Sequence, residues 1–163
     1  VNVVKGNPTR SFTISALQTL FNEDVVSSTI KIPSASLLAI DNTGSTSVTL
    51  LTAPAAGTAY DIQQLTAYIN VGSSAYSSGA ALHIKGPWSA TTVVVPQAFI
   101  NTSTVTGNSL YKIAELNNLA GYTMAQATAL TLNSGSGTKF ITGNGILYIN
   151  ITYKTVNTSA TMV

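Results

Sequence analysis

Residues 145–156 alternate in polarity with a period of two, and this constrains the fold more than any other feature of the chain. Leu147, Ile149, Ile151 and Tyr153 point one way; Tyr148, Asn150, Thr152 and Lys154 point the other. A strand projects successive side chains to opposite faces, so this pattern sets one face on an apolar core and leaves the other in water. A helix would scatter the same residues around its axis. The run therefore predicts an antiparallel strand with Leu147, Ile149 and Ile151 in the core.

Upstream, apolar runs end repeatedly at turn residues. Residues 25–32 stop at Pro33, 35–41 at Asn42-Thr43-Gly44, and 47–52 at Pro54-Ala55-Ala56-Gly57. In 59–71, Leu65, Ala67, Ile69 and Val71 share a face while Ile62 falls out of phase, which predicts a bulge. Residues 80–85 set Leu82 and Ile84 inward, and 91–95 end at Pro96. A looser region, 97–127, carries a strand near Leu110-Tyr111-Lys112-Ile113, and 128–133 end in Ser134-Gly135-Ser136-Gly137.

Eight or nine short strands at intervals of about ten residues predict an all-β chain. The expected architecture is a single antiparallel β-sandwich, jelly-roll-like, over residues 25–163. Neither an internal repeat nor a second domain is visible. Residues 1–24 read as an N-terminal arm. Phe12-Thr13-Ile14 suits a short strand, and Leu17, Leu20 and Phe21 stand at the i, i+3, i+4 spacing of a short helical turn.

Charge narrows the function classes. Only 7% of residues are charged, against about 25% in an average domain, while 45% are hydrophobic. Seven Tyr, four Phe and many Val and Ile argue against disorder. No apolar run approaches the roughly 18 residues of a membrane helix, so no membrane partner is expected. The seven basic residues (Lys5, Arg10, Lys31, Lys85, Lys112, Lys139 and Lys154) never cluster, so no nucleic acid is expected either. Cysteine is absent, which excludes disulfides and thiolate metal sites. The start Val1-Asn2-Val3-Val4-Lys5 has no signal-peptide core, and a leading Val fits loss of an initiator Met; a complete product made in the cytoplasm is the expectation.

Catalysis needs titratable groups placed together, and they are scarce. His83 is the only histidine, and Asp61 is the only carboxylate near it in sequence. Glu23-Asp24 are adjacent, which suits a solvated turn better than a pair facing one substrate. Asp41-Asn42-Thr43-Gly44 resembles a calcium loop only superficially, because the further acidic ligands are missing. Gly135-Ser136-Gly137 and Gly143-Asn144-Gly145 are turns, not phosphate cradles. Asn101-Thr102-Ser103, Asn150-Ile151-Thr152 and Asn157-Thr158-Ser159 match the glycosylation pattern at the level chance allows in so Asn-, Ser- and Thr-rich a chain. The expectation is no enzyme, no cofactor and no metal. Trp88 with Tyr60, Tyr68 and Tyr76 offers a stacking platform for sugars, although aromatics in strands more often serve a core or an interface.

Residues 60–156, about 60% of the chain, resemble the small β-sandwich decoration or auxiliary capsid proteins of tailed bacteriophages. The resemblance rests on the long strand Leu65-Thr66-Ala67-Tyr68-Ile69-Asn70-Val71, the Ser74-Ala75-Tyr76-Ser77-Ser78-Gly79 element and the short strand Ala80-Ala81-Leu82-His83-Ile84. It continues through Ala129-Leu130-Thr131-Leu132-Asn133, Phe140-Ile141-Thr142-Gly143-Asn144-Gly145 and the closing strand to Tyr153. The Pro and Asp usual in the last turn are replaced by Lys139-Phe140-Ile141 and Asn144.

The resemblance implies a virion structural protein at the capsid surface: a decoration (cement) or head-fibre-base protein made in the host cytoplasm. Its implied partners are the major capsid protein and copies of itself as a homo-oligomer. The other reading is a carbohydrate-binding or adhesive tail module. A chain with so few charges must bind by shape, backbone hydrogen bonds and apolar contact. Phe12, Ile14, Leu17, Leu20 and Phe21 of the arm and Tyr148 of the last strand are the expected interface residues.

Overall fold

In a computed structural model of the protein, residues 25–41, 46–86, 93–101, 109–115, 126–135 and 138–158 are described, with 109–115 described by backbone only. The arm residues Phe12, Ile14, Leu17, Leu20 and Phe21, the turn 42–44 and Trp88 lie outside the described residues.

The alternating run forms β10 (Ile146–Asn157), and its pattern sets the sheet around it. β10 pairs antiparallel with β1 (Val26–Ile32) on one side and β3 (Thr58–Asn70) on the other. Leu147 stands opposite Ile32 and Ile69, and Ile149 opposite Ile30 and Ala67. Ile151 stands opposite Leu65. Leu147, Ile149 and Ile151 are fully buried, so the strand phase read from the sequence holds. The out-of-phase Ile62 is explained by a register shift: Thr152 faces Gln64 and Tyr153 faces Ile62, leaving Gln63 as the extra residue. That bulge lets both Ile62 and Leu65 point into the core.

β7 (Ser109–Glu115) adds to β3, giving the order β1-β10-β3-β7. The second sheet has the order β2-β8-β5-β6, from β2 (Val48–Leu51), β8 (Leu130–Ser134), β5 (Leu82–Lys85) and β6 (Val93–Val95). Leu82 and Ile84 are buried, as their alternation requires. Residues from both sheets, among them Leu65, Ile149, Ile84, Val95 and Leu132, belong to one apolar cluster. The chain is thus an all-β protein with antiparallel sheets. Its pairing is nested: β1 pairs with β10, β2 with β8, β3 with β7 and β5 with β6.

Residues 35–41 are not a strand. They contribute to α1 (Ser34–Ala39), a single turn that starts when the Ser36 and Leu37 amides donate to the Pro33 carbonyl. The buried residues are Leu37 and Ile40, a spacing of three that fits one helical turn and not a strand's period of two. A second short turn, α2 (Gln97–Ile100), follows Pro96 in the same way and buries Ile100.

A small ribbon of β4 (Ser77–Ser78) and β9 (Phe140–Thr142) completes the architecture. Tyr76 anchors it: the buried ring meets Phe140 edge to face at 5.6 Å, and its hydroxyl donates to the Gly145 carbonyl at 2.7 Å. Asn144 ties the neighbouring loop down. Its Oδ1 accepts from the Ser74 amide at 2.9 Å, and its Nδ2 donates to Ser73 Oγ at 2.9 Å. Phe140 and Asn144, which stand where the resembled family has other residues, therefore hold this turn by packing and by side-chain hydrogen bonds.

Burial pushes the Tyr76 hydroxyl pKa up to about 12. Burial also raises that of Tyr60, with Tyr153 adding to it and the hydrogen bond to Thr52 opposing it. A tyrosine whose folded pKa lies above its unfolded value, about 10, contributes stability that is complete below that value. The contribution is lost as pH rises through the folded pKa. Stability is therefore expected to fall between about pH 10 and 12. Tyr76→Phe should reduce that alkaline slope while costing about 1–2 kcal/mol at neutral pH for the lost buried hydrogen bond. Urea titrations of both proteins across this range check both effects; an unchanged slope would contradict the assignment.

Candidate functional site

The face of the β1-β10-β3 layer opposite the core carries the richest set of side chains for binding. Because Leu147 and Ile149 point inward, Tyr148 and Asn150 point outward. The register then sets Tyr148 between Lys31 and Tyr68, and Asn150 between Thr29 and Thr66. Ser27 and Thr152 exchange a hydroxyl hydrogen bond at 3.2 Å. Thr29 Oγ1 donates to Asn150 Oδ1 at 2.7 Å.

The rings of Tyr68 and Tyr148 lie 5.9 Å apart, tilted at 45°. With Thr29, Asn70 and Asn150 they line an open groove of about 280 Å³. None of these five side chains carries a charge at neutral pH. The groove offers two aromatic surfaces, two carboxamides and three hydroxyls, which suits a ligand that stacks and hydrogen-bonds without ionic contacts.

Tyr148 is the one expected interface residue within the described part of the chain, and it stands at the centre of this face. The proposed sugar platform of Tyr60, Tyr68 and Tyr76 does not exist as such. Tyr60 and Tyr76 are buried, their hydroxyls donating to the carbonyls of Thr52 and Gly145. Only Tyr68 of the three faces outward with Tyr148. Thr29 and Asn70 were not legible as members of the site, because their place in it depends on pairing across distant strands.

His83 lies on β5, half-buried, opposite Asn133 and Val94 and close against Gly135. Asp61, its nearest carboxylate in sequence, is on β3 in the other sheet and accepts a hydrogen bond from Gln63 Nε2 at 2.6 Å. Asp41 pairs with Lys139 at 3.7 Å. Among the described residues no three His, Asp or Glu side chains come together as a metal-ligand set, and no helix is long and apolar enough to cross a membrane.

No protein-family model matches the chain, and no curated protein matches it in sequence.

Proposed function

We propose that the protein is a non-enzymatic virion structural protein, a decoration (cement) or head-fibre-base protein that binds a phage capsid through its surfaces. The observation that carries this reading is the sparsely charged, hydroxyl- and carboxamide-rich outer face of β1, β10 and β3. Tyr, Asn, Thr and Ser residues there are held on a continuous three-strand layer over a fully buried row of Leu and Ile. A surface with so few charges binds by shape and hydrogen bonding, and repetition over a symmetric lattice multiplies a weak single contact.

The nested pairing supports the same reading. Nested pairing of two four-stranded antiparallel sheets is the order that a jelly roll, a wound hairpin common in capsid architecture, would have. The resemblance of residues 60–156 to auxiliary capsid proteins points the same way, with the major capsid protein and further copies of this chain as partners.

The test is to mix the purified protein with undecorated capsids and to count its copies in purified virions. Saturable binding and hundreds of copies are the expected results. Absence from virions would overturn the reading, and a handful of copies would place the protein in the tail. Because few charges take part, affinity should change by less than about threefold between low salt and roughly 0.5 M salt; a steep salt dependence would contradict an interface made by this face.

A further inference from the structure

The geometry points to a second role for the outer face: the groove between Tyr68 and Tyr148 binds a single ring of an uncharged saccharide. This goes beyond capsid attachment, and its test reads a different ligand.

The inference begins with what lines the groove. Its volume, about 280 Å³, lies at the lower end of small-molecule sites. That leaves room for one ring-sized group and none for a helix or a long peptide. Two tilted aromatic rings supply electron-rich faces, to which the weakly positive C–H groups on one side of a pyranose are attracted. Among the described residues no aliphatic side chain lines the groove, whereas the core of a protein interface is typically its most apolar part.

The polar groups complete the match. Thr29 donates to Asn150 Oδ1, which leaves Asn150 Nδ2 available to donate to a ligand. Among the described residues the Asn70 carboxamide and the hydroxyls of Tyr68 and Tyr148 have no hydrogen-bond partner. A carboxamide presents a donor and an acceptor side by side, the arrangement that vicinal sugar hydroxyls satisfy as a pair.

Charge then selects the class. A nucleotide or an acidic sugar would bring an anion into a groove whose five described lining residues offer no cation. Lys31 shares the face but does not line the groove. A quaternary ammonium would stack on the rings but would find no carboxylate among the described lining residues. An uncharged sugar ring needs neither. Binding at one such open site is weak, and repetition of the protein on a particle raises it to a useful strength.

The experiment displays the protein multivalently on beads and probes it with neutral mono- to tetrasaccharides of glucose, galactose, mannose, rhamnose and N-acetylglucosamine. Sialylated and phosphorylated counterparts run alongside. Saturable binding of at least one neutral saccharide is expected, weakened about tenfold or more by Tyr148→Ala and by Tyr68→Ala. Asn150→Ala, which removes no buried group, gives a third reading should either tyrosine variant fold poorly. Binding of charged glycans alone, no binding, or binding indifferent to all three substitutions would overturn the proposal. Loss of capsid attachment in Tyr148→Ala without any saccharide binding would also overturn it, leaving the virion role intact and assigning the groove to protein contact.

Discussion

Replacing Ile149 with aspartate is expected to destabilise the protein by about 4 kcal/mol, a large share of the total stability of an ordinary domain. Ile149 is fully buried on β10, and its register neighbours are Ile30 and Ala67. Neither can pair with a carboxylate, so the new charge would be buried without a partner or would force the strand to open. Thr152→Asp is the matched control. It lies on the same strand with its side chain on the opposite face, half-buried and next to Ser27. Its cost is expected to stay within about 0.5 kcal/mol. Urea denaturation of the two variants checks the phase directly, since equal losses would mean that the two faces are not distinct.

Gly143→Ala is expected to be the next most damaging change, at about 3 kcal/mol. Gly143 sits at a φ of +119°, a region that residues with a Cβ rarely adopt. An added Cβ would also lie 2.4 Å from Cδ1 of Tyr76. That ring cannot easily retreat, because its hydroxyl is bonded to Gly145 and its edge is packed against Phe140. The two causes can be separated. In a Tyr76→Ala background the clash disappears and only the backbone strain remains. The substitution should then cost about 1–2 kcal/mol less than in the parent. An identical cost in both backgrounds would show that the ring does not constrain this glycine.

What could be read from the sequence was local and periodic. Residues 146–157 alternate strongly enough to give strand, phase and core residues together, and the spacing of Ile62 from Leu65 revealed a bulge before any partner strand was known. Residues 34–39 misled because a short Ala-, Ser- and Leu-rich run fits either period. Only the burial of Leu37 with Ile40 distinguishes them. The β4–β9 ribbon was illegible because its strands have two and three residues and gain their stability from Tyr76 and Asn144, not from a pattern.

The candidate site falls between these cases. Outward orientation of Tyr148 and Asn150 followed from alternation alone. Their meeting with Tyr68, Asn70 and Thr29 did not, because it depends on Leu147 lying opposite both Ile69 and Ile32. Register is set by the buried face. The site is therefore a by-product of core pairing that no local reading of the outer residues could supply.

The nested strand order has a consequence for how the chain reaches its native state. Ser27 and Thr152, bonded to each other, are 125 residues apart in sequence. β10 lies between β1 and β3, so β1 cannot join the β3-β7 pair in their sheet until the latest strand of the described chain arrives. Loop closure over such distances must precede most of the stabilising contacts, which places folding in the slow regime of milliseconds to seconds. Meanwhile β1 and β3 present open edges to other nascent chains, a period of exposure to misassembly. Lys31 on β1 is a charge of the kind that discourages edge-to-edge pairing during that interval. The same order acts in reverse once β10 is seated. Its release must break two ladders at once, so the route that makes assembly slow also makes the finished molecule slow to come apart.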